Sequence, residues 1–203
     1  MAGGPGCPAG GPGPSGRTLA ADLDGDGRAD RVWLDGRRVG VTTAAGTGSG
    51  LEIPAARAPA VLGAEDADGD GRAEVFVRNS GPAGPGPTDH VTVAVFASCR
   101  LRWVTNVQGG RYTFVVRSAN TGGDGVGCVD ADGDGRRDLV GLHAERAGDR
   151  VDWTRTIVRI DGTRATNGAK DRGTFQVGRD DARIETLVTA TCGDNDFSAR
   201  LGD

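Results

Sequence analysis

The apolar residues of this chain fall into short runs rich in Val, Thr and aromatic side chains, which are separated by Gly, Pro and Asp. Short runs of this kind predict β-strands, and no segment shows the periodicity of an amphipathic helix, about 3.6 residues. The predicted strands are residues 30–34, 38–43, 75–78, 90–97, 101–105, 112–117, 138–142, 152–160, 174–177 and 184–189. We therefore expect an all-β protein.

Several of these strands also carry information about burial. Residues 90–97 are the most hydrophobic run, which predicts a central strand buried on both faces. Alternation in 112–117 places Tyr112, Phe114 and Val116 on one side of their strand. The pairs Asp35-Gly36 and Asp161-Gly162 are typical of tight turns between antiparallel strands.

An acidic, glycine-containing motif occurs three times, and it is the main clue to chemistry. It reads Asp-x-Asp-Gly-Asp-Gly-Arg-x-Asp/Glu and defines loop 1 (residues 22–30), loop 2 (66–74) and loop 3 (130–138). Calcium takes six to eight oxygen ligands, and such a loop offers side-chain oxygens at positions 1, 3 and 5, a backbone carbonyl at 7 and a carboxylate at 9. The candidate ligands are Asp22, Asp24, Asp26, Arg28, Asp30, Asp66, Asp68, Asp70, Arg72, Glu74, Asp130, Asp132, Asp134, Arg136 and Asp138.

The flanks of the loops exclude a standard EF-hand. An EF-hand closes its cage with Glu at position 12, but Trp33, Val77 and Gly141 stand there. The residues after each loop form strands, so each loop is expected to join two strands of a hairpin. The alternative is that these are ordinary solvated turns, since Asp and Gly are common turn residues.

A strand, this Asp/Gly loop and a second strand resemble the FG-GAP/VCBS-type repeats of integrin α-chain propellers and secreted bacterial proteins. The Phe-Gly and Gly-Ala-Pro signatures of that family are not evident here. The resemblance implies a β-propeller-like, calcium-stabilised extracellular domain with about three blades and a closing strand. An irregular compact β-array is the alternative, because three blades are few for a closed propeller.

The repeat also predicts the domain organisation. Residues 1–16 read as a flexible Gly/Pro-rich arm, and 17–203 as a single β-repeat domain with repeats starting near 18, 62 and 126. The tail 192–196 matches residues 128–132 at the cysteine and both aspartates, which indicates a degenerate fourth repeat near 190. It lacks the loop glycines, so we expect a closing strand there and no metal.

Net charge supports the importance of the loops. The chain of 203 residues has a formal charge of -4, yet the loops hold 12 of its 28 acidic residues and only four of its 24 basic residues, which leaves 16 acids against 20 basic residues elsewhere. Negative charge is thus concentrated where calcium would bind. No apolar run is long enough to span a membrane, and we expect a monomer that binds no nucleic acid.

The four cysteines predict two disulfides and an oxidising compartment. Cys7, Cys99, Cys128 and Cys192 have neither zinc-ribbon nor redox spacing. Four cysteines allow three connectivities; repeat register favours Cys128 with Cys192, which leaves Cys7 with Cys99. We expect an extracellular or cell-surface location with a leader trimmed or a start codon placed late, because residues 1–6 do not read as a leader.

Motifs for catalysis are missing. His90 and His143 have acidic neighbours, Asp89 and Glu145, but no nucleophile motif accompanies them. Trp33, Trp103 and Trp153 lie in predicted strands and are expected to pack in the core, with Trp153 the candidate for ligand contact. We therefore expect a non-catalytic domain that binds a protein or glycan; a secreted calcium-dependent hydrolase and a purely structural module are the alternatives.

Overall fold

The computed structural model describes residues 17–54, 59–80, 89–119, 122–176 and 189–192, together with Cys7, Gly13 and Leu187. Among the described residues between 17 and 176, thirteen β-strands make up the regular structure, which confirms the all-β prediction. They are β1 (Thr18–Ala21), β2 (Asp30–Asp35), β3 (Arg38–Thr42), β4 (Gly48–Glu52), β5 (Ala60–Glu65), β6 (Glu74–Ser80), β7 (Asp89–Ala97), β8 (Arg100–Trp103), β9 (Thr113–Ala119), β10 (Gly122–Val129), β11 (Asp138–Ala147), β12 (Arg150–Asp161) and β13 (Arg164–Gln176). No helix within the described residues is long and apolar enough to cross a membrane.

The strands form three antiparallel units of four, each in sequence order. Unit 1 (β1–β4) is a separate sheet, whereas unit 2 (β5–β8) and unit 3 (β10–β13) belong to one nine-stranded sheet. Strand β9 joins them, because it pairs with the first half of β7 and with the start of β10. The described sheets do not close into a barrel, so the fold is a β-array of blade-like units.

Each acidic loop connects the first two strands of its unit. Strand pairing resumes at position 9 of the loop, where Ala21 pairs with Asp30 in unit 1, Glu65 with Glu74 in unit 2, and Val129 with Asp138 in unit 3. This confirms the predicted hairpins and places the three loops at equivalent positions.

Two hydrophobic clusters flank unit 2. Val91, Val93 and Val95 of β7 belong to the cluster shared with unit 3, whereas Ala94 and Phe96 belong to the cluster shared with unit 1. Successive side chains of a strand point to opposite faces. β7 is therefore buried on both faces, as predicted, because unit 2 lies between the two other units.

Both predicted disulfides are present. Cys7 bonds to Cys99 and Cys128 bonds to Cys192. The first attaches the N-terminal arm to the turn between β7 and β8, and the second attaches the C-terminal segment to β10.

Three strands differ from the sequence expectation. β4 lies in a Gly-rich stretch without alternation, and β13 is one long, largely exposed strand rather than the short strand 174–177. β10 is eight residues long, whereas the sequence predicted a strand before loop 3 without giving its bounds. Most of the predicted strand 184–189 and the part of the predicted degenerate repeat after Cys192 lie outside the described residues.

The glycines of β10 allow another backbone to cross it. A Cβ at Gly125 would lie only 2.6 Å from the carbonyl oxygen of Leu187. Val126 then forms a parallel bridge with Ala190, with hydrogen bonds to Thr189 and Thr191 of 3.0 Å each. The C-terminal segment therefore pairs with unit 3.

Candidate metal loops

The three loops share one internal hydrogen-bond network. The carboxylate at position 1 accepts a bond from the glycine N–H at position 6 at 2.7 Å in loop 1 and 3.0 Å in loops 2 and 3. The carboxylate at position 5 accepts from the N–H of position 7 at 2.8 Å in every loop. Such bonds curl the backbone around the acidic side chains.

The glycines at position 6 are required by this curl. Gly27, Gly71 and Gly135 have φ of 80°, 89° and 84°, in the left-handed region that other residues enter only with strain. The backbone therefore makes the same sharp turn at position 6 in all three loops.

The carboxylate at position 9 folds back across its loop. Asp30, Glu74 and Asp138 each accept a bond from the N–H of position 2, at 2.9, 2.9 and 3.0 Å. Asp30 is fully buried and Glu74 is 3% exposed. Two ionisable groups thus lie in the interior on the inner side of the loops.

Three carboxylates converge in every loop, each with an oxygen within 4.8 Å of the others. The sets are Asp22, Asp24 and Asp30 in loop 1, Asp66, Asp68 and Asp70 in loop 2, and Asp130, Asp132 and Asp138 in loop 3. The remaining acids Asp26, Glu74 and Asp134 are not members of these sets, although they take part in the hydrogen bonds above. The predicted acidic residues are therefore brought together loop by loop.

Burial, together with neighbouring carboxylates, raises the pKa of three of these acids. Burial raises the pKa of Glu74 to about 9, and the charges of Asp68, Asp70 and Asp66 add to the rise. Burial together with Asp70 raises the pKa of Asp68 to about 6, while Arg136 opposes the rise. The pKa of Asp24 is raised by burial and by Asp30 and Asp26. The protein alone does not place enough positive charge near these three carboxylates to offset their burial and mutual repulsion.

The donor set suits a hard divalent cation. All converging groups are oxygens, which Ca²⁺ and Mg²⁺ prefer over softer metals. In loop 2 the buried Oδ1 of Asp66 has no hydrogen-bond partner among the protein atoms. A buried carboxylate oxygen without a partner is costly, and a bound cation would satisfy it.

The arginines at position 7, which were expected to contribute only a backbone carbonyl, have exposed side chains: Arg28, Arg72 and Arg136. However, Arg136 donates to the carbonyl oxygen of Gly69 in loop 2. Sequence reasoning missed this contact because the two residues are 67 positions apart.

His143 is held between two carboxylates. Its Nδ1 lies 2.7 Å from Asp124 and its Nε2 lies 3.3 Å from Glu145. The hydrogen bond to Asp124 is the main cause of a raised pKa at His143, and Glu145 contributes. With both ring nitrogens engaged, His143 has no nitrogen left to activate a nucleophile.

The tryptophans pack on the sheet surface. Trp33 is 8% exposed and covers Gly40 of the neighbouring strand, where a Cβ would lie 2.1 Å from the ring. Trp153 covers Gly173 in the same way, and the guanidinium of Arg155 lies 5.9 Å from its ring centroid. Both aromatic rings therefore replace the missing side chain of a cross-strand glycine.

Residues 22–77 match the family model of the FG-GAP-like repeat. The match supports an FG-GAP repeat protein. It runs from the start of loop 1 through unit 1 and loop 2 into β6, so the matched repeat extends from one acidic loop to the next. No curated protein and no solved structure shows significant similarity to the chain.

Proposed function

We propose that this FG-GAP-type chain is a non-catalytic repeat domain that binds one Ca²⁺ in each of its three loops and is stabilised by it. The observation that carries the proposal is that every loop brings three carboxylates together, each with an oxygen within 4.8 Å of the others, from positions 1, 3 and 9 in loops 1 and 3 and from positions 1, 3 and 5 in loop 2. Calcium would supply the positive charge that these clusters lack. Positions 1, 3, 5 and 9 would offer carboxylates and position 7 its backbone carbonyl.

The domain is proposed to act outside the cell or at the cell surface, where millimolar calcium and disulfides are both found. We infer a protein or glycan as its partner, with cell adhesion as one role. The large hydrophobic side chains exposed in the described residues are Val107, Val115 and Val129. A partner of this part of the surface would therefore be recognised mainly by polar groups.

Calorimetric titration of EDTA-stripped protein tests the metal proposal directly. We expect about three Ca²⁺ per chain with dissociation constants on the order of 10⁻⁴ M, the range of extracellular modules. Mg²⁺ should bind more weakly because it demands tight octahedral geometry. The matched control carries Asp22→Asn, Asp66→Asn and Asp130→Asn, and should take up no calcium. Absence of calcium uptake by the unmodified protein at millimolar concentration would reject the proposal.

A glycan array and crosslinking on intact cells test the partner. Binding that requires calcium and disappears in the triple Asn variant would support the proposed role. Turnover of a glycoside or peptide by the purified domain would instead favour the hydrolase alternative.

A further inference from the structure

The side chain of Arg136 connects loop 3 to loop 2. Its Nε lies 3.1 Å from the carbonyl oxygen of Gly69, and its Nη2 donates to the same oxygen. Gly69 is position 4 of loop 2, and a Cβ there would lie 3.2 Å from the Cβ of Arg136. The glycine therefore leaves room for the arginine to lie against the loop.

Loop 2 also lies against loop 1, through the side chain of Arg72 and a backbone hydrogen bond. A Cβ at Gly25, position 4 of loop 1, would lie 3.0 Å from Nε and 3.1 Å from Cγ of Arg72. The N–H of Ala73 also donates to the carbonyl oxygen of Asp22 at 2.7 Å. Position 7 of loop 2 and of loop 3 thus lies against position 4 of the loop before it.

Loop 1 has no acidic loop before it among the described residues, and its arginine behaves differently. Nη2 of Arg28 lies 3.5 Å from the carbonyl oxygen of Ala44, within unit 1. Arg28 therefore provides an internal comparison with the same motif position and no contact with another acidic loop.

We propose that Arg72 and Arg136 are positioning residues that couple neighbouring calcium loops, so that filling one loop orders the loop before it. This inference rests on the proposed calcium binding. Each of these arginines would offer its backbone carbonyl to the ion of its own loop, while its side chain lies against the preceding loop, with a hydrogen bond in the case of Arg136. An ion that orders the backbone of one loop thereby also orders the preceding loop, through the arginine that contacts both.

Coupling of this kind is reciprocal, so loop 2 also raises the affinity of loop 3. Coupling between binding sites is commonly about fivefold or more in affinity. We expect about fivefold here, because the contact is a single charge-assisted hydrogen-bonded group at an exposed position.

NMR titration with calcium can follow each loop separately in the full chain. The amides of Gly27, Gly71 and Gly135 donate to the position 1 carboxylate of their loops and serve as reporters. Asp132→Ala removes a ligand of loop 3, and we expect the midpoint read at Gly71 to rise about fivefold. In an Arg136→Gln background, Asp132→Ala should move that midpoint less than about twofold.

Arg28→Gln is the matched control and should preserve the fivefold effect, since its backbone carbonyl remains. Asp132 and Arg136 are both exposed, so these substitutions leave the core intact. If Asp132→Ala does not fold, Asp132→Asn serves instead. The coupling is wrong if Asp132→Ala does not change the calcium midpoint of loop 2, or changes it equally with and without Arg136. Either result would leave the proposed calcium binding intact. If none of the three glycines responds to calcium, the proposed function itself fails.

Discussion

Removing calcium should destabilise the domain by a predictable amount. Each loop brings three carboxylate oxygens within 4.8 Å of one another. Two unit charges about 5 Å apart repel by about 3 kcal/mol at an effective dielectric constant of about 20, so the loops should open or fray without metal. With a dissociation constant of about 10⁻⁴ M and about 1 mM calcium, linkage stabilises the folded state by about 1.4 kcal/mol per site.

For three sites the gain is about 4 kcal/mol, a large part of the roughly 5–15 kcal/mol that stabilises a folded domain. A chain of this size shifts its melting temperature by about 2–4 °C per kcal/mol. EDTA should therefore lower Tm by about 8–16 °C, and added calcium should restore it.

Calorimetric or circular dichroism melting curves measure this shift. Magnesium should restore much less of it than calcium does. The control variant carries Asp24→Ala, Asp68→Ala and Asp132→Ala, and its Tm should be the same with and without EDTA. Coincident melting curves of the unmodified protein with and without EDTA would refute the reasoning and leave the loops as ordinary turns.

Three further outcomes follow from single sites. Burial raises the pKa of Glu74 to about 9, so this side chain is already neutral without metal and Glu74→Gln should leave Tm in EDTA nearly unchanged. In calcium the same substitution should lower Tm by the contribution of one site, about 3–6 °C. An equal loss of Tm in EDTA would contradict this. The double substitution Cys128→Ser and Cys192→Ser should lower the free energy of unfolding by about 4 kcal/mol, because the disulfide closes a loop with a sequence separation of 64 residues. Chemical denaturation measures this loss. Peptide mapping without reduction that finds other cysteine pairs would disprove the connectivity. The pKa of His143 is raised in the folded protein, so protonated His143 stabilises the fold at pH values below about 6.5, its pKa in the unfolded chain. This stabilisation is lost as the pH rises through the pKa of the folded state. NMR titration should give a pKa above 6.5 that falls in Asp124→Asn; a value that does not change would show that the bond to Asp124 is not its cause.

Local sequence chemistry was sufficient to determine the loops and their hairpins. Asp and Gly at fixed positions specify the curl through bonds that span at most seven residues, such as those from Leu23 to Asp30 and from Gly27 to Asp22. The β-branched runs beside the loops specify strands by propensity. The pairing of Cys128 with Cys192 could be predicted because the repeat places both before the same acidic pattern.

Only the tertiary structure determined which distant groups meet. β13 has no hydrophobic alternation, and it is a strand because it pairs along β12. Arg136 contacts Gly69 of another loop, and this contact depends on how units 2 and 3 pack. His143 contacts Asp124 of the neighbouring strand, and this contact depends on the register of β10 with β11. Local propensity carries no information about such register and packing, because they are determined by burial summed over the whole sheet.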